Sequence, residues 1–305
     1  MGDSFINTLE LFPRGLIYVG MGIVILALGK LAQDLLTPYK INNQLSNKDN
    51  HALALSIAGY YLGIVATFVG ALYQPLTVVE DNVYTFTSEF GWNVLEVFLY
   101  SVGGIIALNV ARILVDKLIL YKFETEKEII EDQNTGTGAV EMGVYVGVGL
   151  VIAASIAGTG SDASTGISVA DSAIRSVVFF GLGLVVLGLY VLFYQATTRF
   201  DIHSEIEKDN VAVGVALAGN LIAMGIVVFK AVFGEFVSWQ DSLIGFATFA
   251  IAGFVLLFII RVLVDRILLP STRISDELVK DRNVGVAYIE SAVVISAGLI
   301  LYFAI

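Results

Sequence analysis

Asp132-Gln133-Asn134-Thr135-Gly136-Thr137-Gly138-Ala139-Val140-Glu141 returns later in the chain as Asp281-Arg282-Asn283-Val284-Gly285-Val286-Ala287-Tyr288-Ile289-Glu290. Each copy leads from a charged link into a long apolar run, and each sets a carboxylate seven residues after an Asn. At a helical rise of about 1.5 Å per residue, Glu141 and Glu290 stand roughly 10 Å inside those runs. A carboxylate at that depth of a bilayer is costly enough to need a reason.

The surrounding composition makes a bilayer the natural solvent. The 305 residues are 57% hydrophobic and 15% charged, with a mean hydropathy of +0.83, which leaves too little polar surface to cover a soluble globule. Eight apolar runs reach the twenty or so residues that a helical crossing requires. They lie near 14–36, 51–73, 92–121, 137–158, 174–196, 210–233, 241–269 and 284–304. Spanning barrels show alternating segments of about ten residues, whereas these runs are continuous and rich in Leu, Val, Ile, Gly and Ala. The expected fold is therefore all-α, a polytopic membrane protein of eight transmembrane helices in contact with lipid. The first run is too long for a signal-peptide core and is read as a retained span. There is no cysteine, so disulfides and thiolate chemistry are excluded. A net charge of -11 argues against a nucleic-acid partner. No P-loop, His-Glu-x-x-His, Gly-x-Ser-x-Gly or placed Rossmann glycine pattern occurs, so no enzyme, cofactor or metal site is expected.

Charge asymmetry between the links supplies an orientation. Those after spans one, three, five and seven carry most of the Lys and Arg, among them Lys40, Lys48, Lys127, Arg199, Lys208, Arg273 and Lys280. The opposite links, 74–91, 159–173 and 234–240, carry none. The positive-inside bias predicts a bacterial inner membrane location with the basic links in the cytoplasm and both termini outside.

The repeat extends well beyond the opening stretch. Lys48 to Gly59 matches Lys208 to Gly219 at six of twelve positions, and Arg112-Ile113-Leu114-Val115-Asp116-Lys117 matches Arg261-Val262-Leu263-Val264-Asp265-Arg266. The chain reads as a tandem duplication of a four-span unit. Its parts are 1–158, a Gly/Ser-rich extracytoplasmic linker at 159–173, and 174–305. Four spans separate equivalent helices, so the halves are parallel rather than inverted repeats. A finer echo runs through Asn50, Asn134, Asn210 and Asn283, each opening an even-numbered span, with Gly59, Gly143, Gly219 and Ala292 nine residues on.

The pattern Asn-x-Ala-x-Ala/Gly-x-x-x-Ala-Gly at Asn50 and Asn210, with four spans per unit, resembles the YjfL-like bacterial inner-membrane proteins. That family carries a domain-of-unknown-function label numbered three hundred and fifty. The resemblance covers nearly all of the chain as a double-length form, departs at Asn134-Thr135-Gly136-Thr137-Gly138, and implies a helical inner-membrane protein without implying a reaction.

Depth matches acidic with basic residues. Arg112 and Arg261 sit near the inner ends of spans three and seven, about 13 Å into the layer by helical rise. They are expected to pair with Glu141 and Glu290, with Asp116 and Asp265 completing a triad in each half. Such pairs either mark an ion or proton path or only fix helix register. The four Asn residues are expected as helix N-caps; the alternative, an anion gathered at their helix starts, is opposed by the neighbouring Asp49, Asp132, Asp209 and Asp281. Asn109 and Asn220 are expected as interhelical donors near the midplane, and the Gly59/Gly63 and Gly143/Gly147 pairs as close-packing faces. The leading functional reading is a conduit or transporter for an ion or small solute, in a homo-oligomer. The competing one is a structural or regulatory subunit that docks a cytoplasmic protein partner through 123–133 and 271–282.

Overall fold

The computed structural model describes residues 2–77, 88–119, 124–157, 169–233, 236, 238–267 and 272–304. Among these the elements are all helical: α1 (Gly2–Leu36), α2 (Ile41–Ser46), α3 (His51–Thr77), α4 (Ser88–Ile119), α5 (Thr125–Ile130), α6 (Thr135–Ala157), α7 (Val169–Thr197), α8 (Ile202–Glu207), α9 (Val211–Val232), α10 (Trp239–Ile267), α11 (Ile274–Val279) and α12 (Val284–Ala304). Eight of them, α1, α3, α4, α6, α7, α9, α10 and α12, are long and apolar enough to cross a membrane. The protein is thus an all-helical, multi-pass membrane protein, as its hydropathy predicts. Helix α7 already begins at Val169, so the last five residues expected in the linker are helical; residues 158–168 lie outside the described residues.

The long helices form two rows. Helices α3, α6, α9 and α12 stand side by side in that order, each packed along its length on the next. Helices α4, α7 and α10 lie over the three seams, α4 on α3 and α6, α7 on α6 and α9, α10 on α9 and α12, while α1 packs at the edge on α3 and α4. One crossing of the second row returns the chain between successive inner helices, so the inner four run parallel.

Small residues explain why the inner row is so tight. Gly59 meets the backbone of Met142, Gly143 that of Ala218, and Gly219 the Ser291 backbone and side chain. Each glycine stands nine residues past its Asn, and each partner eight past the next Asn. A second layer repeats the rule, with Gly149 on Gly63, Gly225 on Gly147 and Gly298 on Ala223. A Cβ at these three positions would fall 2.5 Å from Gly63 Cα, 2.8 Å from Gly147 Cα and 3.1 Å from the Ala223 oxygen. Apolar side chains gain nothing by leaving lipid for another apolar surface, so backbone approach and dispersion are what hold such an interface. The glycines stop where the row stops. On the outer face of α3 the equivalent of Gly149 is Val65, and on the outer face of α12 the equivalent of Gly59 is Ala292; both are exposed.

The row is pinned at one end by four copies of one turn. A six-residue helix (α2, α5, α8 or α11) ends in a left-handed residue, Asp49, Gln133, Asp209 or Arg282, with φ of 50°, 52°, 54° and 48°. The Asn that follows returns its backbone N–H to the short helix, on Gln44, Glu128, Glu205 or Glu277, and so closes a helix C-cap. The same Asn N-caps the next long helix: Oδ1 of Asn50, Asn134, Asn210 and Asn283 accepts from the N–H of Leu53, Thr137, Val213 and Val286. Its Nδ2 then reaches forward one copy. Asn50 donates to the Ile129 carbonyl at 2.8 Å, Asn134 to Ile206 at 2.7 Å and Asn210 to Leu278 at 2.9 Å. All four Asn residues are caps, and the first three are also ties to the next copy, so that three ties fix four inner helices at one depth.

Candidate functional site

With that depth fixed, the seventh residue after Asn134 and Asn283 arrives at one level on two separate helices. Glu141 on α6 and Glu290 on α12 are 3% and 2% exposed. Each faces an arginine from the outer row. Arg112 Nε stands 3.9 Å from Glu141 Oε1, and Arg261 Nε 3.6 Å from Glu290 Oε1. The structure thus brings both predicted pairs together, at separations longer than the roughly 2.7–2.9 Å of a charge-assisted hydrogen bond. Glu141 Oε1, which faces Arg112, and Glu290 Oε2, the oxygen other than the one that faces Arg261, have no hydrogen-bond partner although both are buried.

The surroundings of the two carboxylates differ. In the first half, Ser56 of α3 donates its hydroxyl to Glu141 Oε2. Tyr39, in the link after α1, lies against Arg112, and burial lifts its phenol above the ordinary range while the guanidinium pulls it back. Asn109 Nδ2 donates to the Tyr60 hydroxyl at 2.9 Å, tying α4 to α3. In the second half, the Arg261 guanidinium lies 4.1 Å from the centre of the Tyr194 ring and donates to the hydroxyls of Thr198 at 3.1 Å and Thr197 at 3.4 Å. Tyr190 donates to Asn220 Oδ1 at 2.8 Å. Asn220 thus accepts from α7 through Oδ1, while its Nδ2, which donates to the Ala216 carbonyl one turn back, is turned to Glu290 across the α9/α12 seam.

In the second half the expected triad does not form. Asp265 Oδ1 accepts from the Ile274 N–H at 2.7 Å, capping α11, and makes no ion pair with Arg261 within 4.0 Å among the described residues. A short helix needs an acceptor at its start, and Asp265 is the nearest one. The Asp116 side chain lies outside the described residues. At the start of α6, Asp209 accepts from the Gly136 N–H and the Asn134 cap takes the Thr137 N–H, so a carboxylate already stands where an anion would be gathered. Glu205 holds the Asn210 amide at the third cap. Burial pushes its carboxyl up, but hydrogen bonds from Asn210 and Lys208 outweigh this and leave it below the usual range.

Comparison with known proteins agrees with this duplicated architecture. A family model described as Domain of Unknown Function (DUF350) matches residues 7–156 and again residues 168–305. The chain belongs to the DUF350 family. A curated relative, a UPF0719 transmembrane protein of Aquifex aeolicus (strain VF5), is 26% identical over 262 residues, covering 86% of this chain and 88% of that protein. No solved structure matches.

Sequence reasoning reached the four charged residues of this DUF350 chain but not their neighbours. Thr137 shares a helix face with Glu141, being four residues before it, and that spacing was a usable signal. Ser56, Tyr39, Tyr194, Thr197 and Thr198 left none, because only the packing of separate helices brings them to the pairs.

Proposed function

We propose that this DUF350 chain is a conduit or transporter for an ion or small solute, in which Glu141 and Glu290 carry charge and Arg112 and Arg261 hold it at rest. The observation that carries this reading is that each buried carboxylate meets its arginine without a hydrogen bond and keeps one oxygen free. A pair serving only to fix helix register would gain most from a fully bonded bidentate contact, since unmet buried polar atoms are expensive. Charge asymmetry between the links supports a bacterial inner membrane with the turns at the start of the inner row in the cytoplasm and both termini outside. The test is flux across proteoliposomes holding the purified protein. Glu141→Gln and Glu290→Gln abolish it while the fold persists; unchanged flux removes the reading.

A second reading is supported by the short helices. Helices α5 and α11 present Glu126, Lys127, Arg273 and Lys280 along the end of the inner row, as a surface for a cytoplasmic protein. Under it, both Gln variants keep their biological effect while charge reversal at Glu126 and Lys280 removes it. The homo-oligomer belongs to the first reading and is checked by the mass of the detergent-solubilised protein.

A further inference from the structure

Three buried polar atoms in the first half have no hydrogen-bond partner: Gln33 Nε2 on α1, and Thr137 Oγ1 and Glu141 Oε1 on α6. Their residues are 2%, 0% and 3% exposed. Thr137 and Glu141 are one helical turn apart and share a face. Gln33 is placed by comparison of the halves. Gly22 packs on Phe68 as Gly183 packs on Val228, so Gln33 occupies in α1 the position that Tyr194 occupies in α7. Tyr194 lies against Arg261, and Gln33 accordingly belongs beside Arg112 and its carboxylate. The Tyr60 hydroxyl, which accepts from Asn109 and lies toward Arg112, is the polar group facing the Gln33 amide, but the two do not close to hydrogen-bond geometry.

The chemistry of the three atoms selects the ligand. Gln33 Nε2 can only donate, Glu141 Oε1 as a carboxylate can only accept, and the Thr137 hydroxyl does both. A bare cation takes oxygens and is rejected by the amide N–H, while an anion is rejected by Glu141. Water satisfies all three. A surface pocket lies on the other side of Tyr39. Tyr39, against Arg112, also lines a pocket of about 540 Å³ at the end of α1, together with Asp34, Lys40 and Asn43.

We propose that the first half contains an internal hydration site bounded by Gln33, Thr137 and Glu141, connected past Tyr39 to this pocket, and that the second half lacks it. The matched positions in the second half are Tyr194, Val286 and Glu290, so an aromatic ring and an apolar side chain replace the amide and the hydroxyl. Water at one carboxylate also names a proton as the carried species, a step that rests on the conduit reading; the hydration itself does not.

The native chain has no cysteine, so a single introduced thiol reports its own surroundings. Thr137→Cys, Gln33→Cys and Val286→Cys are reconstituted in lipid vesicles and exposed to silver ion, a probe small enough to follow water. Residual thiol is then counted with a maleimide after unfolding. The expected result is that the thiols at 137 and 33 react at least about tenfold faster than the thiol at 286. Static burial predicts the opposite order, since Thr137 is 0% and Val286 8% exposed. Equal rates, or no reaction at both 137 and 33, overturn the site. Fast reaction at 137 with unchanged flux in Glu141→Gln keeps the hydration and removes the conduit. Slow reaction at 137 with flux lost in Glu141→Gln does the reverse.

Discussion

The two halves share a skeleton and differ in what surrounds their buried charges. Across α3/α6, α6/α9 and α9/α12 the same ninth and fifteenth positions bring backbones together, so the joint between halves is built like the joints within them. At the carboxylates the likeness fails. Glu141 accepts from Ser56, and Thr137 one helical turn before it has an unpartnered hydroxyl, whereas Arg261 beside Glu290 is enclosed by Tyr194, Thr197 and Thr198. Duplication fixed the depth of both charges, and subsequent divergence gave the two pairs different partners, a serine hydroxyl on Glu141 in one half and a tyrosine face with two threonine hydroxyls on Arg261 in the other.

Removing the arginines probes this contrast with the largest effect. Arg261→Leu leaves Glu290 buried beside two tyrosines and costs about 3 to 5 kcal/mol. Arg112→Leu costs less, because Ser56 still donates to Glu141. Denaturant titration of both variants in one detergent measures the gap; a larger loss for Arg112→Leu reverses the contrast. The shared skeleton is probed next. Gly149→Ala drives a methyl into the Gly63 backbone and costs about 1 to 3 kcal/mol. Gly298→Ala, where the approach is looser, costs less in the same titration. Equal costs would mean that the inner row loosens freely along its length.

The caps give a smaller and cleaner comparison. Asn134→Ala removes both a helix cap and the tie to Ile206, for a loss of about 2 kcal/mol. Asn283→Ala removes a cap with no forward tie among the described residues and costs about 1 kcal/mol, read as a difference in melting temperature. The smallest effect is one of pH. Glu205 has a lowered folded pKa, so its contribution is full above the unfolded value of about 4.3 and is lost as pH falls through the lower folded value. Glu205→Gln therefore flattens the acid limb of the stability profile below about pH 4 and leaves its own profile level between pH 6 and 8.

Much of this was legible in the sequence, for a physical reason. Hydropathy reports crossing length, and the Asn-to-Glu spacing shared by 134–141 and 283–290 reports depth, so eight helices, the duplication and both Glu–Arg pairs could be read. Lateral order could not. An apolar residue faces lipid as readily as it faces another helix, so α1 and α6 look alike in sequence. Yet α1 turns Leu16 and Val19 outward, at 64% and 62% exposure, while α6 is covered nearly throughout. Asp265 escaped for a related reason, because the helix start it caps depends on a bend that hydropathy does not encode. Thr137 stands in the quoted stretch at the spacing that puts it on the face of Glu141, and its lack of a partner in three dimensions singles it out from the other small residues there.

The most direct test of the central claim is proton flux into vesicles containing the purified protein, driven by an imposed membrane potential and read with an internal pH dye. Glu141→Gln is expected to lower the flux at least about tenfold while the variant still melts near the parent temperature. Parent-level flux from a folded Glu141→Gln protein would contradict the account.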